Sequence, residues 1–243
     1  MRLMIGRFWI DGKSSREFGL YINAPSVYGS PESDVEFKSI PGRNGDIIIS
    51  NNRYENIKIV YPITMYAKNA EKMAEKTAKL KAWLNSSRNY RKLSDTYNPG
   101  YYRMAAFSSE ISAEIAGTML SAEIEFNCKP FLYRNDGDYW ITAKSDGATK
   151  IINPEPFESR PMLDITTQGN AVIYINNRTL TITSDTATHM IVDCEIMDAY
   201  DDAINQNSKI SSADFTLSAG ENTISIQSDS AVDMKIRPRW RRL

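Results

Sequence analysis

Ser121-Ala-Glu-Ile-Glu-Phe-Asn-Cys-Lys-Pro-Phe-Leu-Tyr133 is the stretch on which the fold turns. Ala122, Ile124, Phe126 and Cys128 alternate with Glu123, Glu125 and Asn127, so one face is apolar and the other polar, as in a half-buried strand. Pro130 then stops the ladder, because it has no backbone N–H to donate. Upstream, Val35–Ile40 and Ile47–Ser50 flank Pro41-Gly-Arg-Asn-Gly45. Pro41 fixes its own φ, and Gly42 and Gly45 can take positive φ, so this segment reads as a hairpin.

Working outward, Phe8–Lys13 and Phe18–Ile22 read as two short strands joined by a turn at Asp11-Gly12. Asn56–Met65 is a strand with Ile57, Ile59, Tyr61 and Ile63 on one face, and Pro62 points to an edge or a bulge. Arg91–Leu93, Tyr101–Phe107 and Ile115–Cys128 follow as further strands. Between them the period changes. Met73, Thr77, Leu80 and Leu84 recur at helical spacing, with Trp83 widening the stripe. Asn69 can cap this helix and Glu75 can pair with Lys79 one turn on, which predicts a helix from Asn69 to Ser86 laid on the sheet.

A boundary is expected within Arg134–Glu158, where Asn-Asp-Gly, Ser-Asp-Gly and Asn-Pro-Glu-Pro turns punctuate short strands. Beyond it the pattern is all β. Ala171–Ile175 and Arg178–Thr183 form a hairpin through Asn176-Asn177; Thr188–Glu195, Phe215–Leu217, Thr223–Gln227 and Val232–Ile236 are the remaining strands. The fold class is therefore α+β and mostly β. Residues 1–135 make a β-rich domain with one helix, and residues 136–243 an antiparallel β-sandwich.

The net charge of −1 hides an asymmetry. Residues 151–234 carry 3 basic against 13 acidic side chains, whereas Lys235, Arg237, Arg239, Arg241 and Arg242 crowd the end. An acidic module with a short basic tail lacks the continuous basic surface that phosphate binding needs, which argues against nucleic-acid binding as the main role. The tail is better suited to an intramolecular or subunit–subunit contact. No run approaches the roughly 18 apolar residues of a membrane span. Met1–Arg7 is too short and too quickly polar for a secretory signal, so the chain is expected to be made and folded in the cytosol.

Catalysis finds little support. His189 is the sole histidine and no nucleophile motif accompanies it. Glu123 and Glu125, about 6.6 Å apart by strand rise, have the separation of an inverting glycosidase pair, and so do Asp193 and Glu195. Alternating acids are also how a sheet ordinarily faces water. Asp198-Ala-Tyr-Asp201-Asp202 lacks the spacing and glycine of a calcium loop. Two cysteines, Cys128 and Cys194, fall on inward strand faces and are expected to be buried free thiols. No enzyme, metal or cofactor is expected.

In its order of short phrases the chain resembles the distal tail proteins of long, non-contractile-tailed phages. The phrases are Phe18-Gly-Leu20, Ile40-Pro-Gly-Arg-Asn-Gly45, Tyr54-Glu-Asn56, Leu93-Ser-Asp95, Asn98-Pro99 and Phe126-Asn-Cys-Lys-Pro-Phe131, then Arg160-Pro161, Ile191-Val-Asp-Cys194, Gly220-Glu-Asn222 and Ile236-Arg-Pro-Arg-Trp240. Asn44 stands where the family usually has an acid. The resemblance implies a structural virion protein at the tail tip. Its N-terminal domain would form a hexameric ring whose channel lets DNA pass. The ring would dock on the tail tube protein on one side and on a tail-associated lysin or fibre-bearing hub on the other. A galectin-like or carbohydrate-binding outer sandwich would project from it, holding receptor-binding proteins in some phages. The assembly loop is expected at Pro41, Gly42, Arg43, Asn44 and Gly45, together with strand edges of the first domain. The rival reading is a host-attachment module that binds cell-wall saccharide, with Tyr174, Tyr200 and Trp140 as candidate stacking rings.

Overall fold

A computed structural model describes residues 6–243. Met1–Arg7, read above as no secretory signal, thus lies mostly outside the described residues. The chain divides into two compact units, Met1–Leu132 with Leu243, and Tyr133–Arg242.

In the first unit seven strands pair in the order Lys13–Ser14, Phe8–Ile10, Arg91–Asp95, Tyr101–Phe107, Met119–Cys128, Ile57–Tyr66 and Leu20–Ile22. The Met119–Cys128 strand is the spine. Its Phe126, Ile124 and Ala122 lie opposite Ile59, Tyr61 and Ile63, and all six are buried. The apolar alternation therefore decides which face of both strands meets the core. Pro62 lies inside a strand paired on both sides, not in an edge strand. Its carbonyl accepts from the Asn23 amide at 2.8 Å, just past the end of the Leu20–Ile22 strand. The missing N–H thus falls where the neighbouring strand has stopped pairing.

Two turns differ from expectation. The Asp11-Gly12 turn, with φ of 48° and 81°, joins Phe8–Ile10 to Lys13–Ser14 rather than to the Leu20–Ile22 strand. Ser14 and Glu17 then form a reciprocal capping box that starts a short 3-10 turn. The stretch Ile115–Cys128 is two strands, Ala113–Ala116 and Met119–Cys128, folded back at Gly117 with φ 63°.

The helix runs Ala70–Leu84, with the Asn69 side chain accepting from the Lys72 amide at 2.9 Å and Glu75 paired to Lys79 at 2.8 Å. Trp83 docks it: its ring stacks on Phe18 at 4.2 Å and on Phe8 at 5.7 Å. Arg91, from the next strand, donates to the Leu84 carbonyl at 2.6 Å and to Ser86 Oγ at 2.8 Å. A buried guanidinium thus satisfies carbonyls that the last turn leaves unpaired.

The second unit is an antiparallel sandwich. One sheet orders Ile141–Thr142, Val232–Arg237, Met162–Thr167, Thr188–Asp193, Asp198–Asp201 and Ile204–Asn205; the other orders Ala148–Asn153, Gly220–Ser228, Ala171–Ile175 and Arg178–Ile182. Leu163, Met190 and Met234 of the first meet Ile173, Leu180 and Ile224 of the second in one core. The Asn176-Asn177 hairpin forms as expected, with Asn176 at φ 54°. Phe215–Leu217 is not a ladder strand. Both residues are buried, but Leu217 makes only an isolated bridge to Ser159. Among the described residues no helix is long and apolar enough to cross a membrane.

Candidate functional site

Two apolar features of the first unit stand out for what does not cover them. Ser33–Lys38 and Ile47–Tyr54 form a two-stranded sheet with no third strand among the described residues. At its tip the Arg43 amide donates to the Ile40 carbonyl at 3.1 Å, with Gly42 at φ 80°. Pro41 at the second position and glycine at the third make this a type II turn. Pro41, Gly42, Arg43, Asn44 and Gly45 are all exposed. Along the arms, Phe37 lies directly opposite Ile48, and the two are 62% and 61% exposed. At the base, Asp34 is held by Arg53 and by Asn51 at 3.0 Å. Those hydrogen bonds, the Arg53 one foremost, lower the Asp34 carboxyl from its ordinary value.

The second feature is the outer edge of Ala113–Ala116, a strand exposed throughout and, among the described residues, paired on one side only. Between it and the helix lies a groove of about 470 Å³, walled by Ala70, Met73, Ala74, Ala113, Ile115 and Leu120. Ile115 is 65% exposed. Small side chains on the helix leave the groove open.

The candidate catalytic residues do not assemble into chemistry. His189 is exposed. Its Nδ1 meets Asp201 at 2.8 Å and its Nε2 meets Asp164 at 3.1 Å, so both ring nitrogens are occupied. The Asp201 hydrogen bond raises its pKa against the opposing effect of burial, with Asp164 adding to the rise. Glu125 is tied to Lys58 at 3.1 Å, while Glu123 stays exposed. Asp193, expected on a solvated face, is buried: Arg239 grips it with bonds of 2.6 and 2.8 Å. Burial pushes the Asp193 carboxyl up, and Arg239 more than offsets this, leaving it lowered. Arg241 donates to the Glu158 carbonyl at 2.8 Å, and Arg237 stacks over Trp140 at 4.4 Å. Three of the five tail bases are thus engaged within their own unit, and one face of Trp140 carries a guanidinium. Cys128 and Cys194 are free and buried, and burial pushes both thiols up to about 12. No cluster of three or more potential metal ligands occurs among the described residues.

Tyr174 and Tyr200 are not brought together. Tyr174, 38% exposed, lies on the four-stranded sheet and donates to Gln227 at 3.1 Å. It borders a polar groove of about 460 Å³ with Asn170, Thr181, Thr183 and Asp229. Tyr200 belongs to the six-stranded sheet, opposite Ile191.

With this geometry in view, residues 12–128 match the model of the phage tail protein RIFT-related domain. The match lies within the first unit. No curated protein sequence matches the chain. Among solved structures, the Dit protein of phage SPP1 aligns over 98% of this chain and 100% of its own. The TM-score is 0.76 at 10% identity, and that structure is described as a paradigm of the hub adsorption apparatus in phages infecting Gram-positive bacteria. The phage P2 baseplate in its activated conformation with calcium contains a chain with TM-score 0.54 at 11% identity, covering 96% of this chain and 98% of that one. The resemblance to distal tail proteins read from the sequence is borne out, at the level of the tail domain and the fold.

Proposed function

We propose that this chain is a structural hub of the phage tail tip. Copies form a ring, six-fold in symmetry, that joins the tail tube to the adsorption apparatus and encloses a channel for DNA. The tail domain and the fold shared with SPP1 Dit along both chains support the hub role. The observation that carries the ring is the Phe37–Ile48 pair, exposed on a sheet of two strands. Such a hairpin alone is marginal in water and needs another surface to cover it. A closed ring requires two unlike patches on each copy. The hairpin around Arg43 is one, and the edge of Ala113–Ala116 with its helix-side groove is the other; adding a strand across the boundary is an inexpensive geometry there. Partners in this reading are the tail tube protein and a tail-associated lysin or fibre-bearing hub, in the virion. The outer sandwich, galectin-like in this reading, is where receptor-binding proteins attach. The test is light scattering of the purified chain against the double variant Phe37→Asp, Ile48→Asp. The parent is expected to run as a hexamer and the variant as a folded monomer; an unchanged mass would remove the hairpin from the interface.

A second reading rests on the polar groove beside Tyr174, where a ring and amide and hydroxyl groups converge as sugar sites require. Binding of the full chain to a glycan array, lost in Tyr174→Ala, would favour attachment to cell-wall saccharide. An empty array leaves the scaffold reading alone.

A further inference from the structure

The sandwich has four outer strand edges, and three of them are blunted. Ile141–Thr142 and Ile204–Asn205 are two residues long. Arg178–Ile182 is covered, since Ser211 donates to the Thr181 carbonyl at 3.0 Å and Thr183 donates to the Lys209 carbonyl at 2.8 Å. Ala148–Asn153 is different. It is six residues long and, among the described residues, pairs only with Gly220–Ser228. Alternate residues of an antiparallel strand point away from the partner, so about three of the six offer an outward N–H and C=O.

This edge is held ready. Thr149 Oγ1 accepts from the Lys144 amide at 2.8 Å, and Asn153 donates to the Phe157 and Leu217 carbonyls at 2.9 and 3.2 Å. Thr149, Ile151 and Asn153 are buried. A strand fixed at both ends loses little further entropy on pairing. Edge lysines normally discourage such pairing. Lys150, however, is drawn across the sheet to Glu221 at 2.9 Å, and Ile152 beside it is 68% exposed.

We infer that Ala148–Asn153 receives an added β-strand from a different protein, an extended, net-basic segment with alternating apolar residues. The charge selects the partner. Residues 133–242 carry 11 Lys and Arg against 16 Asp and Glu, so a second copy of the sandwich is repelled and a basic strand attracted. Main-chain bonds supply the affinity and Ile152 the apolar contact. The inference does not depend on ring formation.

Hydrogen exchange on the full chain tests it, with a blocked heptapeptide of alternating valine and lysine as probe. Outward amides within 148–153 are expected to slow at least tenfold, while those of 178–182 do not change. Ile152→Lys, at an exposed site, is expected to abolish the protection with no change in melting temperature. Equal slowing at 178–182, none at 148–153, or protection that survives Ile152→Lys overturns the proposal. So does equal protection by a valine–glutamate peptide. Amides at 148–153 that are already slow without peptide, in proportion to protein concentration, would give the edge to a second copy and overturn it too.

Discussion

At the scale of single residues, the Asp193–Arg239 pair is the most consequential contact in the second unit, with side chains 8% and 15% exposed. Removing one partner strands the other charge away from water, so Arg239→Ala is expected to cost about 3 kcal/mol in urea denaturation. Because the Asp193 carboxyl is lowered in the fold, its stabilisation is present above the ordinary carboxylate pKa of about 3.9 and lost as pH falls through the folded value. The stability gap between the parent and Asp193→Asn should therefore shrink below about pH 4. His189 has the opposite sign. Its raised pKa makes its contribution complete below about pH 6.5 and lost as pH rises through the folded value. Melting temperatures of the parent and His189→Gln should differ at about pH 5.5 and converge at about pH 8.5. The difference is small, because a side chain 44% exposed is well screened. A difference that grows with pH would contradict the His189 contacts. Neither pair was legible from one strand. Period-2 counting placed Asp193 with His189 on a polar face, but nothing in Thr188–Glu195 reveals that Arg239, 46 positions on, closes over the acid.

At the scale of elements, alternation was reliable where one strand faced one core. Ala122–Cys128, Ile57–Ile63 and Val232–Ile236 all bury the residues that the pattern nominated, with Ile57 partly so. It failed at the reversal within Ile115–Cys128. Ile115 and Met119 are odd-numbered, off the even-numbered face that Leu120 to Cys128 bury, and that break together with Gly117 is what marks the turn. Arg91 is the strand residue expected, and its second role, capping a helix 7 positions back, is a tertiary act that the strand pattern does not show. The hairpin makes a prediction of its own. A two-stranded sheet with 62% and 61% exposed apolar partners should open readily in a monomer. Amides of Ser33–Lys38 and Ile47–Tyr54 are expected to exchange quickly in dilute protein and at least tenfold more slowly once copies assemble. Equal rates in both states would mean that the hairpin is stable alone and covers nothing.

At the scale of the whole molecule, the chain has a helix-braced unit matching a phage tail domain and a sandwich in which Arg239 is held by Asp193 and Arg241 by the Glu158 carbonyl. Among what faces outward are strand edges and apolar side chains such as Phe37, Ile48 and Ile115, which are materials for assembly. The tail-domain resemblance was legible because turn phrases such as Ile40-Pro-Gly-Arg-Asn-Gly45 are local in sequence. The groove beside Ala113–Ala116 was not, because its walls come from two separate segments, the helix and the hairpin that turns at Gly117. Negative-stain electron microscopy of the purified chain tests the account most directly. Rings with six lobes around a central hole are the expected particles. Single lobes at every concentration, up to millimolar, would contradict it.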